Sequence, residues 1–239
     1  MRNYNAMVLA AGLGSRMREL TVSLPKPLLS VGGETLIDRT LNNLAAGGVK
    51  RVVVNLGYRA DLLEMHLKRR AKIIKQPEII FSDEQDLLLD TGGGVANAID
   101  LFTSKYIFIV NSDVIRIDMK NHACKLLIKH WKPEQMDFLL LLHPLDTAIG
   151  FEGLGDFHIN SNGSIYRRLK NEKAPFVYAG LCLGKIDQFY EHAGEIFSIN
   201  KIWDESIRNG RLYGLIHQGN WFHVGSPEAI IVTENKLGR

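Results

Sequence analysis

The sequence predicts an α/β fold with a mixed, mostly parallel central sheet flanked by helices, and three observations carry that expectation. Short apolar runs alternate with stretches of helical periodicity through the first half of the chain. Runs such as Val52-Val53-Val54 are apolar without alternation, as strands covered on both faces are. The 239 residues are 46% hydrophobic and 23% charged, close to the globular average and long enough to bury a large core.

In chain order, Ala6 to Ala10 is a first short apolar strand that runs into glycines. From Thr35 to Ala46, Ile37, Leu41 and Ala45 share one helical face with Leu36 and Leu44 beside them, and Gly47-Gly48 closes that helix. Arg51 to Asn55 reads as a buried strand, and a second helix spans about Ala60 to Ala71 with Leu62, Leu63 and Leu67 inward. Ile79 to Phe81 and Tyr106 to Val110 are further strands, separated by a helix from Gly94 to Leu101. Such alternation implies βαβ crossovers.

The second half is more irregular. A helix from Asn121 to Trp131 leads to a strand from Phe138 to His143, then to a glycine-rich stretch from Gly150 to Gly155. Asn160 to Gly163 reads as a hairpin turn, and Phe176 to Leu183 as another strand. Ser226-Pro227 opens a final helix as its N-cap and first residue. No linker, internal repeat or shift of composition divides the chain, so residues 1–239 read as a single domain.

Several functions are excluded early. A net charge of +3 is far from the basic footprint of a nucleic-acid-binding protein. No apolar run approaches the roughly 20 residues of a membrane span. The N-terminal stretch has one positive charge, a short apolar run and no small-residue cleavage site, so the mature chain is expected to start there and stay in the cytoplasm. Cys124 and Cys182 match no metal or redox spacing and read as free thiols. The eight histidines contain no pair at zinc spacing. The basic run Lys68 to Lys72 reads as a solvated helix end, and His66 as a partly buried structural residue.

The chemistry concentrates after the first strand. Leu9 to Met17 contains Ala10, Ala11, Gly12, Leu13, Gly14, Ser15 and Arg16, at the carboxyl end of a strand, where α/β sheets bind ligands. Small residues let the backbone approach a ligand, and successive amides can cradle phosphate oxygens. A P-loop would need a following Gly-Lys-Ser/Thr, and a dinucleotide fingerprint a glycine where Met17 stands; a plain tight turn is the remaining alternative. Downstream, Pro25 and Pro27 restrain the backbone on both sides of Lys26. A fixed Lys26 with Arg16 beside an amide-lined loop suits a triphosphate.

Together, Leu9-Ala-Ala-Gly-x-Gly-x-Arg-Met17 and Pro25-Lys26-Pro27 resemble the signature of the sugar-phosphate nucleotidyltransferases. The resemblance spans residues 5 to 237. It implies a Rossmann-like (GT-A-like) fold, an NTP and a sugar 1-phosphate as substrates, and Mg²⁺ as cofactor. It also implies nucleotide binding by residues 10–16, Lys26, Asn111 and a glycine-rich turn at Gly92 and Gly93, with Glu84, Gln85 or Asp86 near the base. Asn111-Ser-Asp113 matches the metal-binding position at the end of a strand, and Asp113 can hold a hard cation. With Arg16 and Lys26, Asp113 completes the expected catalytic set. Stretches around Asp156 and Gly180 resemble the sugar-phosphate side, most like the short bacterial uridylyltransferases of N-acetylmuramate 1-phosphate in cell-wall recycling and mannose-1-phosphate guanylyltransferase-like chains.

One position departs from the pattern. Trp221-Phe-His223-Val-Gly225-Ser-Pro227 matches a segment that usually has Asp as second metal ligand where His223 stands. Imidazole is a poor ligand for Mg²⁺. Either Asp113, phosphate oxygens and water suffice, or Asp156 compensates, or catalysis is impaired and the chain only binds nucleotide. A non-sugar phosphate acceptor is a further alternative, and the oligomeric state is left open.

Overall fold

The computed structural model describes residues 4–238. Residues 1–3, part of the stretch read above as the mature start, and residue 239 lie outside the described residues. In chain order, β1 (Asn5–Leu9) leads through 3-10 turns at Ser15–Thr21 and Lys26–Leu28 to a small ribbon of β2 (Ser30–Val31) and β3 (Glu34–Thr35). Then come α1 (Leu36–Ala46), β4 (Arg51–Leu56), α2 (Ala60–Ile73), β5 (Glu78–Asp83) and α3 (Asp90–Asn97). A tight turn joins β6 (Tyr106–Asn111) to β7 (Val114–Asp118), followed by α4 (Ala123–His130) and β8 (Phe138–Pro144). The rest is β9 (Phe157–Ile159), β10 (Ile165–Arg167), β11 (Phe176–Lys185), α5 (Asn200–Arg208), β12 (Leu212–Ile216), β13 (Gly219–His223) and α6 (Pro227–Lys236).

Nine strands form one mixed sheet. Its first half, β5-β4-β1-β6, is parallel throughout. β11 then pairs antiparallel with β6 and with β8, and β12 extends that edge parallel to β8. The β9–β10 hairpin joins the other end of β11, turning through Asn160–Gly163 as expected. A separate antiparallel ribbon, β7 with β13, sets His223 opposite Val114.

The unbroken apolar strands have the cause inferred from sequence. Ala6 and Val8 of β1, Val52 and Val54 of β4, and Phe108 and Val110 of β6 point to one face, where they meet Leu41, Leu44, Leu63, Leu67 and Leu127 of the helices. The alternate residues Met7, Val53, Ile107 and Ile109 point to the other face and meet Val95, Ile202 and Trp203. All of these strand residues are buried, so both faces are apolar apart from polar side chains held by hydrogen bonds, such as Asn5 and Asn55.

Two expectations need correction. The helix read from Gly94 to Leu101 starts earlier, at Asp90, and gives way to a 3-10 turn at Ile99–Leu101. Glycine is a poor helix former, but tertiary packing overrides propensity: a Cβ on Gly92 would lie 2.2 Å from the Phe197 ring, so only glycine brings this helix against that segment. In α2, Leu63 and Leu67 are buried and half-buried Leu62 packs against the same core, as expected. Arg70 follows them at helical spacing and is buried too, so the basic run is not wholly solvated. Its guanidinium donates to Asp38 Oδ1 (3.0 Å) and Asn42 Oδ1 (2.6 Å) of α1, and His66 joins the same Asp38 at 2.8 Å. Among the described residues, no helix is long and apolar enough to cross a membrane.

Candidate active site

A cleft of about 470 Å³ opens at the carboxyl ends of β1, β4 and β6. Ala10, Ala11, Gly12, Gly14, Ser15 and Arg16 line it together with Lys26, Asn111 and Asp113. Gly14 has φ 63°, and a Cβ there would press within 3.1 Å of Lys26, so glycine allows both the turn and its closeness to the lysine. Leu13 does not face the cleft. It is exposed and lines a side groove with Tyr58 and Arg59.

The loop amides divide into two sets. Ala10 N and Ala11 N donate to Asn55 Oδ1 at 2.6 and 3.2 Å, so they are held inside the protein and cannot cradle a phosphate. The amides of Gly12, Leu13, Gly14 and Ser15 have no protein acceptor among the described residues. Asn55 in turn donates to Glu84 Oε1 (2.8 Å), whose other oxygen accepts from Leu89 N (3.5 Å). Burial raises the Glu84 carboxyl above its ordinary value, against the pull of these hydrogen bonds. Of the three residues proposed near the base, Glu84 alone lines this cleft; Gln85 is exposed and bonds to Asp83, and Asp86 is exposed. Asn55 was missed from sequence, although a polar residue closing a buried Val-Val-Val strand at its carboxyl end was a usable signal.

Gly92 and Gly93 are not an open turn at the base. They lie within α3, and their amides donate to Phe197 O at 2.9 and 3.1 Å. Asp90 and Thr91 take that wall of the cleft instead.

Asp113 sits in the turn between β6 and β7, where Ser112 Oγ donates to Leu9 O (2.8 Å) and ties the turn to β1. Lys26 Nζ lies 2.8 Å from Asp113 Oδ2, and His223 Nε2 lies 3.8 Å from the same oxygen. Lys26 follows extended Pro25 and starts a 3-10 turn, and its side chain is 11% exposed, so the cation is held in place. Burial alone would raise the Asp113 carboxyl, but Lys26, His223 and Arg16 together hold it below the ordinary carboxylate range. Burial lowers His223, with Lys26 and Arg16 adding to that effect against Asp113, so the ring is neutral at neutral pH. Arg16 is exposed on the cleft wall and forms no ion pair among the described residues.

A second chamber of about 290 Å³ adjoins the first and shares Leu9, Asp90, Thr91 and Asn111 with it. Asp156 lines it, accepting from Tyr178 N at 2.8 Å, and burial raises its carboxyl. Arg167, Asn200 and Trp203 also line it and were missed, because they come from separate elements with no common spacing. Gly180 does not line the chamber. It has φ 70° in a register shift of β11, where a Cβ would lie 3.0 Å from Val114 and 3.3 Å from Asn111. Its carbonyl and that of Ala179 accept from buried Arg116, and Trp221 Nε1 also donates to Ala179 O, all at 3.2 Å. Gly180 therefore supports the Asn111–Asp113 corner from behind.

Comparisons with known proteins point the same way. The profile of the Nucleotidyl transferase family matches residues 5–151. An N-acetylmuramate alpha-1-phosphate uridylyltransferase of Caulobacter vibrioides is 38% identical over 232 residues, covering 97% of this chain and 96% of the relative. A protein of the same name from Neisseria meningitidis serogroup B is 30% identical, covering 92% and 93%. Among solved structures, a UDP-glucose pyrophosphorylase complexed with UDP-glucose superposes with a TM-score of 0.80 over 99% of this chain and 98% of its own, at 15% identity.

Proposed function

The chain belongs to the nucleotidyl transferase family, and from that premise we propose that it transfers a uridylyl group from UTP to a sugar 1-phosphate, N-acetylmuramate 1-phosphate foremost. The observation that carries this reading is the pair of adjoining chambers that meet at Asn111, one walled by cations and free amides, the other by hydrogen-bonding side chains. One chamber suits a nucleoside triphosphate and the other a sugar.

In the proposed reaction, a phosphate oxygen of the sugar 1-phosphate attacks the α-phosphorus of UTP in line. A new P–O bond forms, the bond between the α-phosphorus and its bridging oxygen breaks, and the electron pair leaves with pyrophosphate. The attacking group is already an anion, so no general base is required. The protein's task is to hold two mutually repelling anions together and to stabilise charge on the leaving group. Arg16 and the amides of Gly12 to Ser15 neutralise the β- and γ-phosphates, and Lys26 steadies the α-phosphate.

The residues present fit Mg²⁺ in part. The ion is commonly held by one or two carboxylates and completes its shell with substrate phosphates. Asp113 suits that role, whereas His223 is a nitrogen donor better matched to softer metals. When bound there, Mg²⁺ would neutralise charge developing across the phosphates. Asp156 does not replace the missing carboxylate, since it lines the other chamber and its Oδ2 is engaged by Tyr178 N. The fitting setting is the cytoplasm, in the recycling of cell-wall sugars.

Pyrophosphate release across four NTPs and a panel of sugar 1-phosphates tests the proposal. UTP with N-acetylmuramate 1-phosphate is expected to give the highest kcat/KM. A second reading, a nucleotide-holding module without catalysis, is favoured by His223 standing where a carboxylate is expected. Thermal stabilisation by UTP with no pyrophosphate from any pair would select it.

A further inference from the structure

The second chamber has a feature that a neutral sugar does not call for. Arg167, at the end of β10, is the one cationic side chain that lines it among the described residues. Its neighbour Arg168 is spent on backbone carbonyls of Gly155, Leu169 and Glu172. Arg167 is held differently. Its Nε donates to Asp204 Oδ1 and its Nη2 to Asn200 Oδ1 (2.7 Å), both on α5, and the guanidinium lies 5.0 Å from the centre of the Phe157 ring. Two of its five N–H groups are thereby used to fix the plane, and Nη1 has no protein acceptor among the described residues.

The reacting phosphates do not need this cation. Arg16, Lys26 and Asp113 line the first chamber and none of them lines the second, whereas Arg167 lines only the second. A guanidinium fixed by an aromatic ring and two side chains, with donors still open, matches a carboxylate. We infer that Arg167 reads a carboxylate carried by the sugar, so that this site selects acidic sugar 1-phosphates over neutral ones of similar size. This inference rests on the proposed transfer to a sugar 1-phosphate. Asp156, in the same chamber, then serves the uncharged hydroxyls, since a carboxylate accepts from O–H groups and repels a second anion.

The test compares N-acetylmuramate 1-phosphate with N-acetylglucosamine 1-phosphate, which lacks the lactyl ether and its carboxylate. The wild type is expected to favour the first by about 10²-fold in kcat/KM, the worth of a charge-assisted pair. Arg167→Gln should collapse that preference by about 30-fold or more, mainly through KM, and Arg167→Lys should retain part of it. Asp204→Asn keeps the cation but loosens its strut to α5, so it should lower the preference for the acidic sugar by less than Arg167→Gln does. Equal losses on both substrates in Arg167→Gln would mean that the residue is only a strut, and a wild type that prefers the neutral sugar would overturn the inference directly. If no pair of substrates releases pyrophosphate, the proposed transfer fails, and calorimetric affinities of the two sugar phosphates still decide the role of Arg167 by the same ratio.

Discussion

The first chamber takes most of its polar groups from two short stretches, residues 10–26 and 111–113, at the ends of parallel strands buried on both faces. The second gathers Asp156, Arg167, Tyr178 and Asn200 from the ends of four elements around the antiparallel side of the sheet. The first is preorganised from beneath: Asn55 and Glu84 pin Ala10 and Ala11, and Lys26 is already seated on Asp113. In the second, fixed polar groups come from contacts between elements, such as Arg167 with α5. A nucleotide is a constant ligand and suits the locally built chamber, whereas an acceptor that varies can be met by changing separate elements without disturbing the strand ends.

The largest expected effect lies in the first chamber, two residues beyond the shared Asn111. Asp113→Ala should lower pyrophosphate release by about 10³-fold or more, with the melting temperature moved by only a few degrees, as about 1–2 kcal/mol would give in a chain of this size. Near-normal turnover would remove Asp113 from the reaction. Next, Asn55→Ala removes the acceptor of two loop amides and the partner of a buried carboxylate. It should cost about 1–3 kcal/mol of stability, and about tenfold in UTP affinity, with sugar-phosphate affinity little changed. Equal weakening of both ligands would break the division between chambers.

His223→Asp adds a second carboxylate beside Asp113 and should lower the Mg²⁺ concentration for half-maximal activity by about tenfold. An unchanged metal titration would place residue 223 outside the metal's surroundings.

A separate effect concerns pH, on the antiparallel side. His143 is 1% exposed, and burial, helped by neighbouring His217, lowers it to about 4. The unfolded chain takes up that proton near pH 6.5 and the folded chain only near pH 4, so the unfolded state binds more protons between these values. Stability contributed by His143 is therefore complete above about pH 6.5 and is lost as pH falls towards 4. Melting curves across that range should show the loss, and His143→Gln should flatten it.

The same contrast explains what was legible in the sequence. The parallel half was readable because each strand and helix carries its own periodicity, and the first chamber because Gly12, Gly14, Arg16 and Lys26 stand close together. Its pinned amides were not, since the Asn55 contact spans 45 residues and leaves no local pattern. Gly92 to Gly94 were misread because their meaning lies in Phe197, Glu195 and Glu84, not in their own neighbours. His223 reaches Asp113 through the register of β13 on β7, which only the family resemblance anticipated. In the second chamber only Asp156 was named in advance as lying on the sugar side, again by resemblance. Arg167, Asn200 and Trp203 have ordinary surface or core spacing.

The division of labour between the chambers is tested most directly by calorimetric binding of two ligands to two variants. Arg16→Gln should weaken UTP by about tenfold while leaving N-acetylmuramate 1-phosphate nearly unchanged, and Asp156→Asn should do the reverse. Both variants weakening the same ligand, or each weakening both ligands equally, would contradict the account.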